Sequence, residues 1–416
     1  MIRVLGIAAP GTVQVFKSMA KFLPSEVLFH TISAMDCYNG RVPLIGRNGK
    51  IIRVYFVPSK RMIDQMLKFR PDLVITDYAA YPTWFAKIYS ILRRRHVPYI
   101  VRFRGDYWRE YAEYASSIAA FKRVLSLVDF FSWSEGLRSA DCIIPVCKWL
   151  DGVVKSRLPE KMSYVVYQGI DPDPWLELND GSYEFKRPAV GILQDNNILP
   201  KVRGLLRFSE VARMMPDVNF YIAGGGPYTG LVKKSYAKLE NVHFVGRVSC
   251  PDGVRKFHAS CDLYVLASGL DCSPTTLLEA SLCGKPVVAS RLGGIPELVR
   301  EGETGWTIPN GRTDEWVQKI RVLIEDEHLA RRLGDNGKRL VMEKFSWKTL
   351  SAKIFEIFVK TVGGEDLYSC QAPVLAERRS TLAYDVGGVM AYAGEGKLFP
   401  GRGFLSNERQ VRGRVE

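Results

Sequence analysis

Two carboxylates, Asp271 and Glu279, stand with seven residues between them in the stretch ASGLDCSPTTLLEASLCGKPVVASRLGGIPELV, residues 267–299. Asp271 precedes a helix start, because Ser273-Pro274 reads as an N-cap followed by proline at the first helical position. Glu279 falls one to two turns inside that helix, so the two carboxylates surround one ligand at different depths. The free N–H groups and positive dipole end between them suit a diphosphate. Glu279 could be an ordinary solvated helix residue. Its neighbours Leu277, Leu278, Ala280 and Leu282 point instead to a buried helix, and a buried carboxylate needs partners such as ribose hydroxyls.

The elements that must position these groups are alternating strands and helices, the pattern of stacked β-α-β units with parallel sheets. Strands are expected at Arg3–Ala8, Asp72–Thr76, Tyr99–Phe103, Cys142–Val146 and Tyr164–Tyr167, then at Ala189–Leu193, Asn219–Ala223, His243–Val245, Leu263–Ala267 and Pro286–Ser290. Helices follow at Asp314–Glu325, His328–Lys344 and Trp347–Val362. Gln168-Gly169-Ile170-Asp171-Pro172-Asp173-Pro174-Trp175 forbids regular structure and marks a boundary near residue 180. The expected organisation is α/β: doubly wound domains at 1–180 and 181–362 facing across a cleft, and a disordered tail at 363–416. Ligands of such sheets bind at the carboxyl ends of the strands.

Composition narrows the class. The 416 residues are 47% apolar and 25% charged, a globular balance too long for one ordinary core. No run reaches the roughly 18 apolar residues of a membrane span. Met1–Ile7 enters a strand-like run without signal-peptide features, which predicts a cytoplasmic protein. The eight cysteines include no Cys-x-x-Cys pair and no zinc-ligand spacing. The net charge of +14 lies wholly before the tail, where seven basic and seven acidic residues cancel; it suggests an anionic partner. No zinc, RNP-like or helix-turn-helix pattern supports nucleic acid.

The segment resembles the retaining nucleotide-sugar glycosyltransferases numbered family four, which have the GT-B fold. Their Glu-x7-Glu phrase ends in stretches similar to Gly284-Lys285-Pro286-Val287-Val288-Ala289-Ser290 and Gly293-Gly294-Ile295-Pro296-Glu297. The likeness extends over most of 140–361, including Ala223-Gly224-Gly225-Gly226-Pro227, while 1–139 match loosely as an acceptor-facing domain does. It implies that Glu279 accepts bonds from the donor ribose and that Asp271 holds hydroxyls of the transferred sugar. Cys272, Ser273, Pro274, Thr275 and Thr276 would line the sugar and phosphates, Gly225 and Gly226 the nucleotide, and Arg247 and Val248 the base. Gly11, in the loop after the first strand, joins the substrate-binding set. The resemblance further implies front-face substitution with retention, no protein nucleophile, no cofactor and no metal, since no Asp-x-Asp element follows a strand at the cleft edge. Cationic groups would stabilise the leaving diphosphate.

Several positions depart from the family. Asp271 replaces the first Glu, Ile192 replaces the usual Arg, and the following Lys-Gly appears as Arg203-Gly204 after an enlarged loop at 194–201. Lys201 and Arg203 are therefore the diphosphate candidates. Arg104, in Val101-Arg102-Phe103-Arg104-Gly105-Asp106, stands where relatives carry His; it stays protonated, so it is no base but could bind an anion, with Asp106 the nearest carboxylate. The expected activity is transfer from a nucleotide sugar to a lipid-linked or polysaccharide acceptor; the alternatives are a degenerate binding subunit and a nucleotide-sugar 2-epimerase. Residues 87–123 carry nine basic side chains against Asp106, Glu110 and Glu113, interleaved with Tyr89, Tyr99, Phe103, Tyr107, Trp108, Tyr111, Tyr114 and Phe121. Such a surface suits peripheral attachment to anionic lipid at the inner membrane face.

Overall fold

The computed structural model describes residues 1–8, 12–33, 42–45, 51–54, 60–77, 87, 89–117, 120–176 and 181–363. Gly11 and the tail beyond residue 363 lie outside the described residues. Strands β1 (Ile2–Ala8), β2 (Val27–Ser33), β3 (Val42–Ile45), β4 (Ile51–Val54), β5 (Leu73–Thr76), β6 (Tyr99–Phe103) and β7 (Cys142–Pro145) belong to the first half. The second half holds β8 (Ala189–Leu193), β9 (Asn219–Ala223), β10 (Val242–Gly246), β11 (Leu263–Leu266), β12 (Val287–Ser290) and β13 (Gly305–Ile308). Two parallel sheets result, ordered β2-β1-β5-β6-β7 and β10-β9-β8-β11-β12-β13, while β3 and β4 pair antiparallel by themselves. Strands β5, β6 and β8 are buried at every residue, as parallel strands covered on both faces must be.

The covering helices are α1 (Val13–Lys21), α2 (Lys60–Phe69), α3 (Tyr107–Ser117), α4 (Ala120–Ser139), α5 (Lys148–Arg157) and the short α6 (Asp173–Leu176). In the second half they are α7 (Leu199–Met214), α8 (Thr229–Ser235), α9 (Asp252–Ala259), α10 (Thr275–Leu282), α11 (Thr313–Glu325), α12 (Glu327–Lys344) and α13 (Trp347–Val362). Helix α11 buries Trp316, Ile320 and Leu323, one stripe at helical spacing, against the second sheet.

Three expectations need correction. Tyr164–Tyr167 is not a strand: the bridge beside it, Ser163 to Ile143, lies just before it, and the segment follows β7 through bonds from Tyr164 N to Ile143 O and Val166 N to Pro145 O. The enlarged loop at 194–201 is shorter, because Leu199 already begins α7 and Lys201 lies in its first turn. Helix α13, assigned above to the second domain, returns to the first sheet, where Trp347, Leu350, Ile354, Ile357 and Phe358 pack with Val4, Ile75 and Ile100. Ser346 Oγ caps it by accepting from Thr349 N, and Gly363 ends it at φ 78°, a left-handed conformation that favours glycine. The chain thus crosses between lobes twice, side by side, with Ile170 N bonding Phe345 O and Trp347 N bonding Ile170 O.

The basic-aromatic stretch also divides. Tyr89, Tyr99 and Phe103 are buried in the first core and Tyr107 and Trp108 pack against it, so these rings serve the interior. Tyr114 and Phe121 lie outside the described side chains. Exposed apolar side chains do occur beside Arg93 and Arg94, but they are Ile91 and Leu92.

Under the cleft a charge sits in the first core. Arg102 on β6 is 2% exposed, and its Nη1 donates to Asp77 Oδ1 at 2.7 Å just beyond β5. Nη2 donates to Gln168 Oε1 at 3.0 Å, and the guanidinium lies over the rings of Phe16 and Trp347. Burial pulls its pKa down while Asp77 opposes the shift, and a guanidinium remains charged in either case. Asp77→Ala would leave that cation buried and uncompensated, with an expected loss of about 3–5 kcal/mol in chemical denaturation. The double variant Asp77→Ala/Arg102→Met should recover most of it; a single-variant loss below about 1 kcal/mol would refute this role for the pair.

Candidate active site

The site is built at the carboxyl ends of β8, β9 and β11, where backbone meets backbone. A Cβ on Gly204 would come within 2.2 Å of the Ser268 carbonyl carbon, and one on Gly269 within 2.2 Å of Pro200 O. Only hydrogen fits at both places, so the first turns of α7 lie directly on the 268–269 loop, fixed by Gly269 N donating to Lys201 O at 2.9 Å. This seating brings Lys201 Nζ to 2.8 Å from Asp271 Oδ2. Burial alone would lower the Lys201 pKa, but the Asp271 carboxylate outweighs it and holds the ammonium above its usual value. Asp271 Oδ1 also accepts from Cys272 N. The groups expected to hold sugar and diphosphate are therefore joined as one pair.

Helix α10 begins one residue later than its sequence suggests, with Pro274 rather than Ser273 at the N-cap and no side chain capping it. Ser273 Oγ is buried without a hydrogen-bond partner, and the Thr275 and Thr276 amides open the helix behind it. An uncapped helix start facing a Lys–Asp pair is a place for an anion. Inside the same helix Glu279 is only partly exposed, and burial pushes its pKa up to about 7. No described cation pairs with it, and desolvation is the cause of the shift.

The loop after β8 and the glycine loop after β9 interlock. Asn196 N donates to Gly225 O, Gly224 N to Gly246 O and Tyr228 N to Asn196 O. Gly224, at φ 128°, is pressed against Gln194 O. Arg247 arches over this loop, with Nη2 donating to Gly225 O at 3.0 Å and Nη1 3.4 Å from Asp195 Oδ1. Gly225, Gly226, Arg247 and the half-buried Val248 thus form one rim. Arg203, one turn into α7, is exposed. Gln194 and Asn196, which the sequence gave no reason to single out, are buried there with unpartnered side-chain atoms.

On the opposite face Arg104 follows β6, about one-third exposed, with Nη1 3.7 Å from Asp77 Oδ2. Asp106 is committed to structure: its Oδ1 accepts from Arg109 N and so caps α3. Cys272 is buried among Phe103, Val146 and Cys147 of the first lobe, which brings the Asp271 loop against the end of β6. Glu297 joins the lobes as well, accepting from Lys148 N, Trp149 N and Tyr167 Oη at 2.8–2.9 Å. Its place in the Gly-Gly-x-Pro-Glu stretch was the only advance signal. Among the described residues no group of three or more His, Cys, Asp or Glu side chains converges as a metal site.

Glu279 carries a stability consequence. Its folded pKa of about 7 exceeds the 4.5 of a free glutamate, so the folded state loses stability as pH rises from about 4.5 to 7, and the penalty persists above that. Glu279→Gln should therefore stabilise the unliganded protein at pH 8 by roughly 1–3 kcal/mol, with the difference vanishing near pH 4. Thermal unfolding at the two pH values measures this; a variant less stable than the parent at pH 8 would contradict it.

Residues 198–340 match the family described as glycosyl transferases group 1. A GDP-mannose-dependent alpha-(1-6)-phosphatidylinositol monomannoside mannosyltransferase of Mycolicibacterium smegmatis is 31% identical over 203 residues, 45% of this chain and 52% of that protein. The alpha-maltose-1-phosphate synthase of the same organism is 27% identical over 255 residues, 55% of this chain and 66% of that one. The chain thus spans about half to two-thirds of the length of these relatives. Sucrose-phosphate synthase from Thermosynechococcus elongatus superposes with a TM-score of 0.66 at 14% identity, covering 86% of this chain and 99% of its own. HepE from Anabaena in complex with UDP gives 0.61 at 17% identity, with 86% and 100% covered. The chain accordingly has the two-lobed GT-B fold, and within it residues 198–340 are similar to the family described as glycosyl transferases group 1.

Proposed function

We propose that this protein is a metal-independent, retaining glycosyltransferase that moves a sugar from a nucleotide-diphosphate sugar to a lipid-linked or polysaccharide acceptor. The observation that carries the reading is the uncapped start of α10 set between the Lys201–Asp271 pair and the unpaired Glu279. Ribose hydroxyls would donate to Glu279, and the helix amides with Lys201 and Arg203 would take the diphosphate. A bound diphosphate competes with Asp271 for Lys201, which frees that carboxylate to accept from sugar hydroxyls. The acceptor oxygen then bonds the anomeric carbon as the bond to the diphosphate oxygen breaks on the same face. The acceptor proton passes to the departing diphosphate. Relatives named for GDP-mannose and a fold neighbour bound to UDP support the donor class.

Mass spectrometry of ligands retained from a mixture of UDP-, GDP- and ADP-sugars tests the donor. Retention should be weakened about tenfold to hundredfold by Glu279→Gln at pH 8, equivalent to roughly 1.5–3 kcal/mol. In the parent, affinity should rise between pH 6 and 8 as Glu279 ionises. Transfer should survive EDTA. Retention of a sugar nucleotide without any transfer would favour the binding-subunit reading, whereas loss on chelation, restored by Mn²⁺ or Mg²⁺, would overturn metal independence.

The acceptor side is read as a membrane-facing surface. Ile91 and Leu92 are 74% and 56% exposed, next to Arg93, Arg94 and Arg95, of which Arg95 pairs with Asp72. Insertion of the two apolar side chains beside cations, each worth about 1 kcal/mol at an anionic surface, suits peripheral docking at the inner membrane face. No described helix is long and apolar enough to cross a membrane. Co-sedimentation with phosphatidylserine vesicles should fall with salt, fall when Arg93, Arg94 and Arg95 become Ser, and fall when Ile91 and Leu92 become Ser; binding indifferent to lipid charge would sink this surface.

A further inference from the structure

Helix α5 opens in the first lobe without a cap of its own. Cys147, at its N-cap position, is extended (φ −161°, ψ 163°) and its side chain makes no capping bond. The amides of Lys148 and Trp149 donate instead to the two carboxylate oxygens of Glu297, 149 and 148 residues further along the chain. Tyr167 Oη adds a third bond from the first lobe. An anion at a helix N-terminus is held by both the amides and the dipole, so the contact is directional as well as attractive.

Glu297 stands on the same short backbone segment as Gly293 and Gly294. A Cβ on Gly293 would meet Asp271 O at 2.0 Å, and one on Gly294 would meet Cys272 O at 2.1 Å and Cys147 Sγ at 2.6 Å. The two glycines therefore rest on the backbone of the residues that face the cleft. The carboxylate four residues later grips the other lobe. Asp271 is in turn paired with Lys201. A continuous path of direct contacts runs from the first-lobe helix through Glu297 and the glycine pair to Asp271 and Lys201.

We infer that Glu297 is a positioning residue: by capping α5 across the cleft it holds the Asp271–Cys272 loop in register with Lys201 and with the first lobe. For its effect on transfer the inference rests on the transferase reading; the latch itself does not. Glu297 touches no reacting atom on this account. Its removal should slow turnover while leaving the nucleotide half of the site, around Glu279 and Gly225, intact.

Hydrogen–deuterium exchange on the full chain tests the latch directly. Glu297→Gln should raise exchange at least tenfold both in 147–152 and in 269–273, with 219–235 unchanged. Lys148→Pro provides an independent variant. It deletes one donor amide at the first helical position, where proline is tolerated, after a residue already in the extended conformation that precedes proline. It should give the same two-segment pattern at smaller amplitude, and it decides the matter if Glu297→Gln fails to fold. For whichever nucleotide sugar is turned over, kcat should fall at least tenfold in Glu297→Gln, with UDP or GDP affinity within about twofold of the parent. Faster exchange at 147–152 with 269–273 unchanged would overturn the coupling, as would unchanged kcat once both segments have loosened. If the parent turns over no nucleotide sugar, the exchange data still decide the latch, so that failure is separate from failure of the transferase reading.

Discussion

A parallel sheet has two apolar faces, and neither can be left to water. That constraint decides most of this architecture. The first sheet is covered on one face by α1 and, from the far end of the chain, by α13, whose Trp347, Ile354 and Phe358 lie over β1, β5 and β6. The chain must come back after completing the second sheet, and it does so beside its outgoing path at Ile170 and Phe345–Trp347. The same return places Trp347 against the buried Arg102, so the charge beneath the cleft is covered in part by the last helix of the described chain.

The candidate site shows the reverse economy, in which local stability is given up. An uncapped helix start, a carboxylate whose pKa burial raises to about 7, and unpartnered polar atoms on Gln194, Asn196 and Ser273 all lie at the ends of β8, β9 and β11. Each would be corrected by an ordinary substitution if folding alone mattered. Their concentration in one cleft is the physical argument for a ligand, and it does not depend on resemblance to other proteins.

Legibility in the sequence followed the range of the forces involved. Strands β8 and β9 and helix α13 were readable to the residue, because a continuous apolar run, or a stripe bounded by Ser346 and Gly363, carries its own limits. Strand β2, Val-Leu-Phe-His-Thr-Ile-Ser, was not, since as an edge strand it alternates half-buried and exposed residues and its apolar side chains do not follow the alternation that marks a covered face. The glycine-rich phrases were legible because close backbone approach demands glycine locally, at Gly204, Gly269 and Gly293. What those approaches achieve was hidden. Nothing within a few residues of Lys201 announces Asp271, and nothing near Asp77 announces Arg102. Asp106 looked like cleft chemistry and proved to be a helix cap, a role that Asp before an amphipathic helix fills routinely.

The return of α13 also limits how this protein can be recombined. A cut near residue 180, natural from the sequence, would export a second half trailing an amphipathic helix whose apolar stripe belongs to the first half. It would leave the first half with an open groove along β1, β5 and β6. The exchangeable module is instead the closed excursion between the paired crossings, about residues 171 to 345, which leaves and re-enters at adjacent backbone positions. Exchanging the second half is then an insertion into the first rather than a fusion. The first half, built from both flanks of the insert, has to supply its own final helix.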